Sequence, residues 1–147
     1  MMKIALACDH GGFRLKNIIQ EDLISKGYEI KDFGTYNEES SDYPDFAGKA
    51  AKAVANGECE KGIIICGTGI GVSITANKVK GIRCALVHDT FSARATREHN
   101  DANMLAMGQR VIGEGLALDI VHIWLTTDYE GGRHVKRIQK MMAYEEE

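Results

Sequence analysis

The 147-residue sequence has a single proline and a single tryptophan, and neither a Cys-x2-Cys pair nor a His-x3-His pair. Each shortage excludes something. One proline leaves no proline-rich linker, and no repeat or low-complexity stretch divides the chain. The four cysteines (Cys8, Cys59, Cys66, Cys84) lack zinc-ligand spacing, and free thiols are expected over two disulfides. The five histidines also lack ligand spacing, so neither a metal nor any other cofactor is expected. No apolar run approaches the roughly 18 residues of a membrane span, so no membrane association is expected. Positive charge is short as well: 18 Lys plus Arg face 21 Asp plus Glu, and a net charge of −3 offers nucleic acid no general attraction. One Lys and the short run Ile4–Cys8 precede Asp9, too little for a secretion signal, so a soluble cytoplasmic protein is expected.

Glycine is what the chain has in excess: 16 residues, against an average usage of about 7%. Without a collagen period or a Gly/Ser linker, such glycines suggest tight turns inside a folded chain. With 44% hydrophobic and 27% charged residues, the composition is that of a globular protein, and the length suits a single domain over 1–147.

Short apolar runs alternate with periodic ones. Strands are expected at Lys3–Cys8, Tyr28–Phe33, Gly62–Cys66, Arg83–Val87 and Met104–Met107. Helices are expected around Leu15–Leu23, from Pro44 to Asn56 with Ser41 or Asp42 as cap, from Gly69–Gly71 to about Lys78, and over Thr90–Glu98. Ile112, Leu116, Ile120 and Trp124 mark the stripe of a fifth helix, and Gly132–Ala143 forms a last one. Buried strands alternating with helices predict an α/β fold: a doubly wound, Rossmann-like parallel sheet of five strands in three layers. Ligands then bind beyond the carboxyl ends of the strands, at Cys8–Gly12, Gly34–Tyr43, Cys66–Gly71 and His88–Asp89.

The sharpest feature is Cys66-Gly67-Thr68-Gly69-Ile70-Gly71, directly after a buried strand. Gly67, Gly69 and Gly71 let backbone N–H groups converge on an anion. The segment is not a P-loop, because the lysine is missing. Cys66 is either a small buried hydrophobe or an acid–base group at this loop. His99-Asn100, within a polar run ending at Asn103, reads as a capped turn or as a proton-moving site. Arg133 and Arg137 stand four apart on one helix face, as a solvated basic end or as a phosphate clamp, and Arg110 offers a third arm. Together these parts suit proton abstraction beside the carbonyl of a small phosphorylated sugar.

The motifs Ala7-Cys8-Asp9-His10-Gly11-Gly12, Asp42-Tyr43-Pro44-Asp45, Cys66 to Gly71, Ala76-Asn77-Lys78, His99 to Asn103 and Gly131-Gly132-Arg133-His134 follow in an order that resembles the B-type ribose-5-phosphate isomerases. The wider group includes galactose-6-phosphate isomerase, and the resemblance runs end to end. It implies interconversion of ribose 5-phosphate and ribulose 5-phosphate in the pentose phosphate pathway, without metal or nucleotide. Cys66 would shuttle the proton between C1 and C2, His99 would open the furanose ring, and Thr68 with the amides of Gly67–Gly71 would hold the enediolate. Asp9, His10, Tyr43 and Asn100 would hold hydroxyls or the phosphate, and Arg110, Arg133 and Arg137 would clamp the phosphate. One branch of the family places a glutamate after the third glycine; here that residue is Val72, which cannot take a proton. The resemblance also implies a homodimer with shared sites, in which residues from about 132 to 147 reach the partner, and it leaves pairing into tetramers open. A six-carbon sugar phosphate is the alternative substrate, and a sugar-phosphate binding module without turnover the alternative class. A cysteine phosphatase is disfavoured because no Cys-x5-Arg follows Cys66.

Overall fold

A computed structural model describes residues 2–147. The elements are β1 (Lys3–Cys8), α1 (Phe13–Ser25), β2 (Glu29–Asp32), α2 (Tyr43–Ala55), β3 (Lys61–Cys66), α3 (Ile70–Ala76), β4 (Cys84–Leu86), α4 (Thr90–Glu98), β5 (Met104–Gly108), α5 (Glu114–Thr126) and α6 (His134–Ala143). Every strand pair is parallel, in the order β2-β1-β3-β5-β4. The expected doubly wound, three-layer sheet is therefore present.

Strand alternation explains the layers. Ile4, Leu6 and Cys8 of β1 join Ile63, Ile65, Leu105 and Met107 in one core, closed by Leu15, Ile19 and Leu23 of α1 and by Ile120 and Trp124 of α5. On the opposite face, beside Ile64 and Met104, the residues Ala5, Ala7 and Ala106 meet Ala47, Ala50 and Ala51 of α2. Both interlayer spaces are filled by packed side chains, and on the second side an alanine stripe lets α2 approach closely.

The strand order reverses between β1 and β3, which opens a crevice beyond their carboxyl ends. Register brings Cys8 opposite Ile65 and Cys66 opposite Gly108, so the ends of β1, β3 and β5 lie level.

Several boundaries differ from expectation. β2 stops short of Tyr28 and Phe33, and β4 is three residues long. The fifth helix begins at Glu114, so Ile112 precedes it, and Leu116 is 38% exposed rather than part of the buried stripe. The last helix starts at His134, because Gly131 and Gly132 have φ of +69° and +57° and turn the chain before it. Asp42 sits at the start of α2 without a side-chain capping bond, and Ser41 bonds to His10 instead. Among the described residues, no helix is long and apolar enough to cross a membrane.

Candidate active site

β3 delivers Cys66 to the crevice, and the glycine loop folds back over it. Gly69 takes φ +78°, which brings its N–H to 3.1 Å from the Cys66 sulfur. A Cβ on Gly69 would stand 2.6 Å from Leu86 Cδ1 and 2.7 Å from the Met107 carbonyl carbon, so this turn admits only glycine. The Thr68 hydroxyl oxygen accepts from the Ile70 amide at 3.2 Å. Asp9, Tyr43, Cys66, Gly67, Thr68 and Gly71 line one cavity of about 430 Å³, within the size range of small-ligand pockets.

The neighbouring loops are tied to this one. The Arg110 amide donates to the Gly67 carbonyl at 3.0 Å, and the Arg110 side chain lies about 3.5 Å from where a Gly67 Cβ would be. The guanidinium is thereby placed beside the loop. Asp9 is 7% exposed, and its Oδ1 accepts from the Gly11 amide at 2.9 Å. His10 and Ser41 bond reciprocally: the His10 amide donates to Ser41 Oγ, and the Ser41 amide donates to His10 Nδ1 at 3.1 Å. With Nδ1 accepting, the neutral ring carries its proton on Nε2, free to donate to a ligand.

Sequence reasoning missed three supports. Gln109 Oε1 accepts from the Leu15 amide at 2.9 Å, joining the end of β5 to the first turn of α1. His88 Nε2 accepts from the Gly108 amide at 2.8 Å, which gives this histidine a structural task. Ile70 and Ile74, both about half exposed, form an apolar rim to the cavity. Only the helical spacing of the two isoleucines was visible beforehand.

The other cysteines lie in different surroundings. Burial pushes the Cys8 thiol up to about 12, only partly opposed by the Lys16 charge, and burial raises Cys84 to about 12 as well. Cys59 is raised chiefly by burial and secondarily by Glu58. Among the four free thiols, Cys66 is the one that lines the cavity.

His99, Asn100, Arg133 and Arg137 are not at this end of the sheet. α4 starts after β4 and runs antiparallel to the strands, so its C-terminal residues reach the amino ends of β3 and β5. There the Gly62 amide donates to the Asn103 carbonyl. Four residue steps along β3, about 13 Å of strand, separate Gly62 from Cys66. The His99 ring stacks on His134, with centroids 4.6 Å apart and planes at 21°. Burial lowers the His134 pKa, and the charges of His99 and Arg133 lower it further. Arg133 immediately precedes α6 and Arg137 lies one turn into it. Asn100 lines a second cavity of about 440 Å³ together with Asn77, Arg83, Met141 and Met142. The expected site residues of one chain thus fall into two groups, around Cys66 and around His99, at opposite ends of its sheet.

The polar run before β5 divides by role. Asp101 accepts from Arg97 Nη1 at 2.8 Å, and Asn103 bonds the Arg83 amide and the Gly81 carbonyl. These two residues build the turn. They leave the side chains of His99 and Asn100 for other work.

The ribose/galactose isomerase family model matches residues 4–141. Ribose-5-phosphate isomerase B of Escherichia coli is 50% identical over 146 residues, covering 99% of this chain and 98% of that protein. The solved ribose-5-phosphate isomerase B of Clostridium thermocellum is 55% identical with a TM-score of 0.98, covering 99% of this chain and 98% of that one. The Mycoplasma genitalium enzyme, solved with bound ribulose 5-phosphate, is 43% identical with a TM-score of 0.94, over 99% and 97% of the two chains.

Proposed function

The chain belongs to the ribose/galactose isomerase family, and from that premise we propose that it interconverts ribose 5-phosphate and ribulose 5-phosphate. The observation that carries this reading is the Cys66 thiol, held by the Gly69 N–H at the mouth of a cavity sized for a sugar phosphate. Cys66 removes the proton from one carbon of the C1–C2 pair and returns it to the other. Thr68 and the amides of Gly67–Gly71 stabilise the enediolate oxygen where charge develops. Asp9, His10 and Tyr43 orient hydroxyls or the phosphate, and Arg110 pairs with phosphate oxygens.

The rest of the machinery comes from a second copy. His99 opens the furanose ring by moving a proton, Asn100 holds a hydroxyl, and Arg133 and Arg137 complete the phosphate clamp. Their place at the opposite end of the sheet supports a two-fold dimer in which the Cys66 half-site of one chain meets the His99 half-site of the other. The apolar side of α6 supports it too: Val135 is 41% and Met141 45% exposed, a face suited to docking on the partner. On this reading residues 1–147 act as one isomerase domain. The four free thiols suit a cytoplasmic place in pentose phosphate metabolism.

The test is steady-state isomerisation of ribose 5-phosphate, allose 6-phosphate and galactose 6-phosphate. Wild type should turn over the pentose phosphate best, and Cys66→Ala should lose on the order of 10³-fold in kcat, as expected for loss of a general base. Binding of all three sugars without turnover would make the domain a sugar-phosphate binding module instead. Full activity in Cys66→Ala would assign the base elsewhere.

A further inference from the structure

β4 ends at Leu86 and α4 begins at Thr90, so His88 lies in the link between them. Both ends of this link are anchored. The Val87 amide donates to the Ala106 carbonyl at 3.0 Å, and Asp89 Oδ1 caps α4 by accepting from the Ser92 amide at 2.7 Å. The pairing of Cys84 with Met104 and of Leu86 with Ala106, carried two residues further, sets His88 opposite Gly108. The Gln109 amide points to β3, where it donates to the Cys66 carbonyl at 2.9 Å, so the Gly108 amide points the other way. The rung it makes there is to a side chain: it donates to His88 Nε2 at 2.8 Å.

Gly108 is buried and forms the floor under the loop that holds the thiol. A Cβ on Gly108 would stand 2.6 Å from the Thr68 carbonyl carbon and 2.7 Å from its Cα, so the Thr68 backbone rests on this glycine. A Cβ on Gly69 would stand 3.0 Å from the Gly108 nitrogen, and the Gly69 N–H is the group 3.1 Å from the Cys66 sulfur. Contacts therefore run without a break from the His88 ring through Gly108 to Thr68, Gly69 and Cys66.

We propose that His88 is a positioning residue for the isomerisation, an inference that rests on the role given above to Cys66. Its neutral ring, protonated on Nδ1, fixes the Gly108 amide and with it the loop that holds the thiol and the enediolate oxygen. Only an unprotonated Nε2 can accept this bond. Burial favours the neutral ring and lowers its pKa, and the adjacent Asp89 carboxylate opposes that only in part. Without an acceptor at position 88, the Gly108 amide becomes a buried donor with no partner, and the strand end shifts to find one. That shift moves Thr68 and Gly69 together, which weakens the N–H bond to sulfur and misplaces the donors for the enediolate. Asp9, His10 and Tyr43 are carried by other elements, so substrate affinity changes least.

The experiment compares two full-length variants chosen to oppose shape and chemistry. His88→Phe keeps a ring and loses the acceptor; His88→Gln loses the ring and keeps an acceptor oxygen near the place of Nε2. On ribose 5-phosphate, His88→Phe should lose at least about tenfold in kcat with KM within about twofold, and His88→Gln should stay within about threefold of wild type. Iodoacetamide should modify Cys66 about threefold or more slowly in His88→Phe and at the wild-type rate in His88→Gln, read by peptide mass spectrometry. In wild type, ¹⁵N spectra of the five histidines should show His88 as the Nδ1–H tautomer, its signals identified by their absence from His88→Gln. Wild type inactive on the sugar phosphate would remove the functional reading, while the alkylation rates and the tautomer still decide the positioning role. Losses in His88→Gln that equal or exceed those in His88→Phe would show that ring packing sets the effect and overturn the proposal. So would a wild-type rate of alkylation in His88→Phe, or an Nε2–H tautomer. If His88→Phe does not fold, the tautomer and the His88→Gln rates decide.

Discussion

The ring of Tyr43 rests directly on Gly71: a Cβ at position 71 would stand 2.6 Å from both Cε1 and Cζ of the tyrosine. The third glycine of the loop is thus a seat for the first residue of α2, in addition to any part it takes in binding an anion. A methyl group there cannot be absorbed without moving the ring. Gly71→Ala should therefore displace Tyr43 from the cavity and lower kcat/KM on the order of 10²-fold, the usual consequence of a misplacement near 1 Å. Position 71 lies within α3, so the variant should still fold, and circular dichroism with steady-state kinetics separates the two effects.

Cys66 should be the thiol that governs inactivation. It lines the cavity, whereas burial holds Cys8 and Cys84 as protonated thiols with pKa values near 12. Alkylation proceeds through the thiolate. Iodoacetamide at neutral pH should abolish activity in step with one adduct on the peptide containing Cys66, and ribose 5-phosphate should slow both. Peptide mass spectrometry checks this; inactivation tracking modification of Cys59 or Cys84 would contradict it.

Lys16 is fully buried, with its Nζ at 2.8 and 2.9 Å from the two Asp32 carboxylate oxygens and 2.6 Å from the Thr35 carbonyl. Removing one partner of such a pair leaves a charge without compensation. Asp32→Ala should cost about 3–5 kcal/mol in urea unfolding. Lys16→Met, which removes the buried charge and keeps an apolar stem, should cost much less. Equal losses would mean that packing rather than charge sets the effect.

Lys61 gives the fold a defined pH dependence. Burial, and then the charge of Arg97, lowers it from an ordinary 10.5 to about 8, while its ammonium sits 5.4 Å from the Trp124 ring centroid. Below about pH 8 both folded and unfolded chains hold the proton, and the folded state bears the cost of a partly buried charge. Between about 8 and 10.5 the unfolded chain binds more protons than the folded one, so this group's contribution to stability rises with pH. Lys61→Met should be stabilised relative to wild type at neutral pH, and that advantage should shrink across this window. Urea midpoints of both proteins against pH measure it.

Much of the fold was legible because it is local. The runs of β1, β3 and β5 are apolar on both faces, and the glycine after each buried strand marks where a loop must turn sharply. The Cys66 cavity was legible for the same reason, since Cys66 to Gly71 is one contiguous segment. What was hidden depends on partners far apart in sequence. Lys16 reads as a surface residue of a helix until Asp32 and Thr35 enclose it. His10 gains its ring orientation from Ser41. Asn77 belongs to a motif of the resemblance, yet its side chain bonds the amide and carbonyl of Cys84, pairing the outer edge of β4. The placement of His99 was the largest gap. Strand-end reasoning locates ligands beyond the carboxyl ends, whereas α4 carries His99 to the amino ends.

The proposed sharing of sites between two chains can be tested by complementation. Cys66→Ala disables the loop half-site and His99→Ala disables the other, so each homodimer alone should be nearly inactive on ribose 5-phosphate. Refolding the two variants together in equal amounts should make about half the dimers hybrid, each with one intact site of two. About a quarter of wild-type activity should then return. If native mass spectrometry shows hybrid dimers and activity stays at the level of the separate variants, the shared-site account is contradicted.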